Sequence, residues 1–361
     1  MRTLPAACAA AIAVMGLVAG CAHGPRTASP TGPTAGTVAA TRSAAPDSIF
    51  ARGFVNPSLA FTGGSLYLTW EASAQPYPPR MTLSRVDPAT GVIMASNTFS
   101  AGFVSDPLYA AGWLWVTDDP ASVGDLLLLR LDPRTLMVTG ELNAGSHPPG
   151  DSTGTSGHIA SAGGSIWVDG AGDLVRVSPD TVSAELTISQ PGADSAEVAA
   201  SPDGGTLIVS EADSGAGTIQ RRDPATGALL ASHPMFGVVA PLIGDGVSGE
   251  GVWVREPTGL LGSIERFTAD SMTPEPGTLV QGSNGIAANV WDGVLWVSNE
   301  AGGPAQNYCA DPATGRRLAT LPLPDLAQDY LMTVTGGRIY YSTTVGDEFV
   351  IRTVPVPAAC G

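Results

Sequence analysis

Apolar residues along this chain fall in short runs of two-residue period, broken by glycine, proline and aspartate. The clearest run reads Gly-x-apolar-aromatic-apolar: Gly64-Ser65-Leu66-Tyr67-Leu68, Gly112-Trp113-Leu114-Trp115-Val116 and Gly164-Ser165-Ile166-Trp167-Val168. A fourth copy, Gly205-Thr206-Leu207-Ile208-Val209, lacks the aromatic, and a fifth opens with Glu250 before Gly251-Val252-Trp253-Val254. Gly293-Val294-Leu295-Trp296-Val297 and Gly337-Arg338-Ile339-Tyr340-Tyr341 complete the set. Such runs predict strands, each entered through a tight turn.

A second pattern follows each run. It reads Asp87-Pro88-Ala89-Thr90-Gly91, Asp132-Pro133-Arg134-Thr135, Ser178-Pro179-Asp180-Thr181, Asp223-Pro224-Ala225-Thr226-Gly227, Thr268-Ala269-Asp270-Ser271 and Asp311-Pro312-Ala313-Thr314-Gly315. Successive starts lie 45, 46, 45, 45 and 43 residues apart. Asp caps such a turn through its side chain, Pro presets φ, and Gly takes the left-handed position that closes it. Each unit then reads as four strands. Strand a is short and rich in small residues, and strand b is the aromatic one. A variable loop leads to strand c, and the Asp-Pro turn leads to strand d.

A period near 45 with four strands predicts an all-β fold, a seven-bladed β-propeller with four-stranded blades. The strand b aromatics then fill the space between neighbouring sheets. The seventh unit stops short of a fourth strand. Ser48 to Phe54 precedes the first strand a, so the expectation is that this N-terminal strand completes the seventh blade and closes the ring.

Composition agrees with this. Gly (45) and Pro (30) are abundant and charged residues make up only 14% of the 361 residues, which suits many short strands and turns. There is no lysine, and the formal charge is −16. Such a chain repels nucleic acid.

The N-terminus reads as an address. A positive charge at Arg2 precedes an apolar run from Ala6 to Ala19, too short for a comfortable membrane span. Leu17-Val18-Ala19-Gly20-Cys21 resembles the bacterial lipobox. That resemblance implies a leader at 1–20, cleavage before Cys21, and diacylglycerol on its thiol. Residues 21–46, mostly Ala, Thr, Pro, Gly and Ser, read as a flexible tether, and 47–361 as the propeller. The expected location is the outer face of a bacterial cell membrane, and the expected state is monomeric. Cys309 and Cys360 remain, and an oxidising compartment favours a disulfide between them over two buried thiols.

In propellers, ligands usually meet the d–a and b–c loops at one mouth of the channel. The d–a positions here are Asn56, Asp106, His158, Glu197, Pro241, Asn284 and Asp329. The b–c positions are Glu71, Asp118, Asp119, Asp169, Glu211, Arg255, Glu256, Asn299, Glu300 and Thr343. Asn56, Asp106, His158, Glu197, Arg255, Asn284 and Asp329 are thus candidate ligand contacts. An acidic ring suits a divalent cation, Ca2+ or Mg2+, with Asp106, Glu197 and Asp329 as candidate ligands, or it is simply a solvated loop surface. His158, the one His at this mouth, is the candidate general base.

Asn284-Gly285-Ile286-Ala287 and Leu295-Trp296-Val297-Ser298-Asn299 resemble blades of the bacterial propeller group of streptogramin lyases, gluconolactonase-like and surface-antigen-like proteins. The resemblance spans about residues 48–358 and is one of repeat. Lyases of that group carry a His and Glu set with magnesium, of which only His158 and Glu197 find a match. The Asp-Pro-Ala-Thr-Gly turns are also similar to quinoprotein repeats, where a Trp beyond the Gly docks between blades. Ala95, Ala231 and Thr320 occupy that region here. The expected function is a lipid-anchored binding or protein-interaction module, meeting an envelope protein or a small ligand at its mouth. The alternative is a metal-assisted lyase or lactonase at the acidic mouth.

Overall fold

The structure is a computed structural model. It describes residues 48–73, 80–99, 103–119, 124–147, 157–170, 172–189, 195–201, 203–213, 216–236, 240–242, 251–258, 261–277, 280–281, 286–291, 293–299, 307–321, 323, 331–345 and 348–361. All of these residues fall in one compact body, 35–361. The leader, Cys21 and the tether lie outside the described residues.

Unit one supplies β1 (Ser48–Thr62), β2 (Ser65–Ser73), β3 (Arg80–Val86) and β4 (Ile93–Phe99). Unit two supplies β5 (Phe103–Val104), β6 (Leu108–Ala110), β7 (Trp113–Asp119), β8 (Gly124–Leu131) and β9 (Val138–His147). Unit three supplies β10 (Ile159–Ala162), β11 (Ser165–Asp169), β12 (Asp173–Ser178) and β13 (Ser183–Ser189). Unit four supplies β14 (Ser195–Ala200), β15 (Leu207–Asp213), β16 (Ala216–Arg222) and β17 (Leu229–Phe236). Unit five supplies β18 (Ala240–Leu242), β19 (Gly251–Thr258), β20 (Leu261–Thr268) and β21 (Val280–Gln281). Unit six supplies β22 (Ile286–Trp291), β23 (Val294–Asn299), β24 (Tyr308–Ala310) and β25 (Arg317–Thr320). Unit seven supplies β26 (Leu331–Thr335), β27 (Arg338–Val345) and β28 (Glu348–Pro355), followed by a 3-10 turn at Ala358–Cys360.

In units three to six neighbouring strands pair antiparallel in chain order as four-stranded sheets, and in unit two β5 and β6 both pair with β7 in a five-stranded one, in a propeller arrangement. The strands form six sheets, not the seven expected from the repeat count. The reason is β1, which runs unbroken through two sets of partners. Its Ser48–Phe54 half lies against β28, with Ser48 opposite Thr353 and Phe54 opposite Phe349. Its second half lies against β2, from Val55 opposite Glu71 to Thr62 opposite Ser65. The two sets of strands merge into one seven-stranded sheet, β26-β27-β28-β1-β2-β3-β4.

The turns follow the sequence chemistry. The Asp87, Asp132, Asp223 and Asp311 carboxylates each accept the N–H two residues on, at 2.8–2.9 Å. Gly91, Gly227 and Gly315 take the closing position at φ near +70°. Three units lack that glycine, and Leu136, Val182 and Met272 take its place at φ 61°, 53° and 51°. A left-handed L-residue costs roughly 1–2 kcal/mol. All three side chains are buried, and burying Leu, Val or Met contributes about 1.5–3 kcal/mol, enough to offset the strain.

The aromatics of strand b are core. Tyr67, Trp115, Trp167, Trp253, Trp296 and Tyr340 are fully buried. Several also tie one unit to the turn of the next. Tyr67 donates to the Pro133 carbonyl (3.5 Å) and Trp253 Nε1 to that of Pro312 (2.8 Å). Tyr340 donates to Pro88 (3.3 Å), from unit seven to unit one. Unit four has Ile208 in place of the aromatic, and there Arg221 reaches the Asp270 carboxylate at 2.7 Å. Arg130 serves unit two, donating to the Pro179 and Asp180 carbonyls. Cys309 of β24 is bonded to Cys360 in the C-terminal turn.

Candidate functional site

The structure describes part of the expected mouth. Asp106 is exposed and accepts a 3.0 Å bond from the Ser58 hydroxyl, which links units one and two. His158 and Glu197 come together across units three and four, with Nε2 3.9 Å from Oε1 and side chains 41% and 20% exposed. The His158 carbonyl accepts the Asp169 N–H at 3.1 Å, which fixes the backbone at the start of β10. Asp169 is itself buried, at 2% exposure. Asn56 sits in the backbone of β1 at the register shift between Val55 and Ser58. Arg255 sits on β19 opposite Ala240 and Ile264. Asn284 and Asp329 lie outside the described residues.

Among the described residues, no three His, Cys, Asp or Glu side chains gather closely enough to hold a metal ion. The other described imidazole, His233, packs edge-on against Phe267 at 5.4 Å inside β17. Two of the expected ligand contacts therefore meet, His158 and Glu197, and Asp106 is engaged with Ser58.

A cavity of about 780 Å³ lies at the other end of the inner strands, where strand a turns into strand b. Its wall is built from β6, β10, β14 and the end of β1, with Trp291 from β22. These strands follow one another: β6 lies beside β10, β10 beside β14, and β22 beside β26, which lies beside β1. The turns Gly63-Gly64 and Gly163-Gly164 form part of the rim. Gly63, at φ +55°, has the Tyr109 ring so close that a Cβ there would overlap it. The Tyr109 N–H donates to Thr62 Oγ1 at 3.0 Å, so this ring is seated on the neighbouring unit.

The described wall carries one ionisable group apart from the Tyr109 phenol, the Asp203 carboxyl. The Ser201 hydroxyl (2.5 Å) and the Gly205 N–H (2.9 Å) hold it below the ordinary carboxylate range. Sequence reasoning missed this end because it looked to the loops of the opposite mouth. The signal was present: Phe61, Tyr109 and Trp291 are large aromatics at the ends of strands otherwise rich in small residues.

Fold and site together define a β-propeller with a channel walled by its innermost strands. No protein-family model matches the chain, and no curated protein does. Among solved structures it is similar to BamB from Moraxella catarrhalis, with a TM-score of 0.52 at 12% identity, over 88% of this chain and 93% of that one. The fold is widely shared, with 755 matching chains, so the likeness carries architecture and not activity.

Proposed function

We propose that this chain is a lipid-anchored propeller of the cell envelope that acts as a protein-interaction module. The observation that carries this reading is a set of exposed apolar side chains on the outer strands of a propeller fold. Val92 and Met94 (58% exposed) of unit one and Met137 (66%) and Val138 of unit two are all exposed. Units one and two are adjacent there, since Asn97 Nδ2 donates to the Leu136 carbonyl at 2.9 Å. Flexible methionines at a rim suit adaptable contact with another protein.

In the same proposal, the seven-stranded sheet counts as two blades sharing β1, which makes seven blades closed by Ser48–Phe54. The β1–β28 register and the Tyr340–Pro88 bond support that count. The lipid at Cys21 anchors the propeller, and two or three acyl chains, at about 0.8 kcal/mol per methylene, hold it firmly. Among the described residues, no helix is long and apolar enough to cross a membrane.

The test is site-specific photo-crosslinking in cells from positions 94 and 137, with position 185 as an exposed control on another unit. A discrete adduct from 94 and 137 but not from 185 supports the reading. Membrane-bound protein giving no adduct at 94 or 137 overturns it. Cys21→Ala is expected to release the protein into the soluble fraction.

A further inference from the structure

We propose that the cavity at the a–b turn end of the channel is a binding site for a neutral oligosaccharide. The site stands apart from the outer-strand protein contact proposed above, and neither reading depends on the other.

Three features of the wall select this chemistry. The first is backbone. β6 pairs only with β7, and β10, β14 and β22 are each the end strand of their sheet. The Val55–Thr62 half of β1 likewise pairs only with β2. Alternate N–H and C=O groups of an edge strand point away from its single partner. Around a channel, those groups face inward as a mixed set of donors and acceptors, apart from ones already bonded such as the Tyr109 N–H on Thr62 and the Gly163 N–H on Gly204. A wholly apolar ligand would strand them, at about 1–3 kcal/mol each. A hydroxyl, which donates and accepts, matches either kind.

The second is charge. No Lys, Arg or His stands in the described wall, and Asp203 is its one carboxylate. Phosphorylated or acidic ligands find no counter-charge there and meet a chain of formal charge −16. Asp203 already accepts bonds from Ser201 and Gly205 and keeps lone pairs for a sugar hydroxyl.

The third is the uneven placing of aromatic rings. Phe61, Tyr109 and Trp291 come from units one, two and six, so they occupy one arc of the wall. Units three and four face them with Ser161, Ser201, Asp203 and small residues. One side is lined by aromatic residues and the other by hydrogen-bonding groups. A pyranose has the same two characters, axial C–H faces and equatorial hydroxyls. The volume, about 780 Å³, lies within the roughly 300–1,000 Å³ usual for small-ligand sites and exceeds the needs of a single sugar ring.

The test uses the full chain on an array of neutral, acidic and amino oligosaccharides, followed by calorimetric titration of the strongest neutral glycan. Benzyltrimethylammonium and benzenesulfonate serve as charged aromatic probes. The expected result is neutral-glycan binding that weakens roughly tenfold in Tyr109→Ala, the loss of one stacking face. Tyr109 is partly exposed, so its thermal melt is expected to stay unchanged. Asp203→Asn keeps the turn acceptor and is expected to weaken binding by a smaller factor. Trp291→Phe keeps an apolar ring against the neighbouring core and is expected to retain binding. Leu230→Ser, exposed and outside the cavity, is expected to leave binding unaltered. Absence of any neutral-glycan binding overturns the proposal. So does binding equal in Tyr109→Ala, or binding confined to the charged probes.

Discussion

The Tyr340 hydroxyl donates to the Pro88 carbonyl at 3.3 Å across 252 residues of sequence. It joins the last repeat to the first by the same bond that Tyr67 makes to Pro133 and Trp253 to Pro312. In units one, five and seven the strand b aromatic thus reaches the Asp-Pro turn of the next unit, whereas the Trp115 and Trp296 indoles donate within their own units. Where the aromatic is missing, at Ile208, Arg221 reaches the following turn in its place. Quinoprotein repeats dock with a Trp past the turn glycine. Here the docking group sits on strand b or on the neighbouring strand c.

Removing one such hydroxyl isolates its contribution. Tyr340→Phe keeps the ring and its edge-on contact with Phe50, 5.1 Å away. The expected loss is about 1 kcal/mol in urea unfolding, the net worth of one buried hydrogen bond. Tyr109→Phe, at an exposed position, is expected to change stability by much less.

Phe50 tests the first half of β1. Its side chain is buried and packs with Leu59, Leu66 and Ile351. Phe50→Ala is expected to cost about 3–5 kcal/mol in denaturant unfolding. Deleting residues 47–54 leaves β28 as an unpaired edge, and aggregation on heating is the expected outcome. An unchanged melting temperature in the deletion would sink the proposed closure.

The disulfide separates covalent from packing stability. Cys309 and Cys360 are 51 residues apart, and both are buried. A loop of that size loses about 4 kcal/mol of stabilisation when opened, in the chain-entropy picture. Cys360→Ser and reduced native protein are expected to unfold at the same, lower denaturant concentration.

Gly227 tests the turn. Its φ is +71°, and a Cβ would meet Ile188 Cδ1 at 2.4 Å and Leu186 at 2.9 Å. Gly227→Ala combines backbone strain with overpacking, each costing about 1–3 kcal/mol. Gly64→Ala, with the same φ and open space around it, is expected to cost the strain alone. Paired thermal melts distinguish the two.

Acid is expected to loosen the turns together. Backbone N–H bonds hold Asp87, Asp132 and Asp223 below their ordinary value of 3.8, and the Ser201 hydroxyl does the same for Asp203. The unfolded chain takes up these protons near 3.8 and the folded chain only at lower pH. The stabilisation is therefore complete above 3.8 and is lost as pH falls through the depressed values. Melting temperature is expected to fall steadily below about pH 4. Replacing the four residues by Asn is expected to flatten that slope.

The repeat was legible because each unit combines a two-residue period with a turn whose chemistry is local. Strain supported by burial was not. Leu136, Val182 and Met272 hold a glycine position, and only the packed structure reveals what compensates them. The continuity of β1 was hidden by Pro57, which usually ends a central strand. It falls in the register shift between Val55 and Ser58 of the β1–β2 ladder, where it has no paired partner, so its missing N–H breaks no rung. At the site, the His158–Glu197 meeting follows from blade order. The aromatic arc does not, because Phe61, Tyr109 and Trp291 are brought together only by the ring.

β1 also imposes an order of completion. Its first half, Ser48–Phe54, is made some 300 residues before its partner strand β28. A product cut short before Glu348 presents that segment with no mate, an exposed edge that proteases read readily. The shared strand thus ties stability to the order of synthesis: the segment made earlier stays open until β28 has followed it.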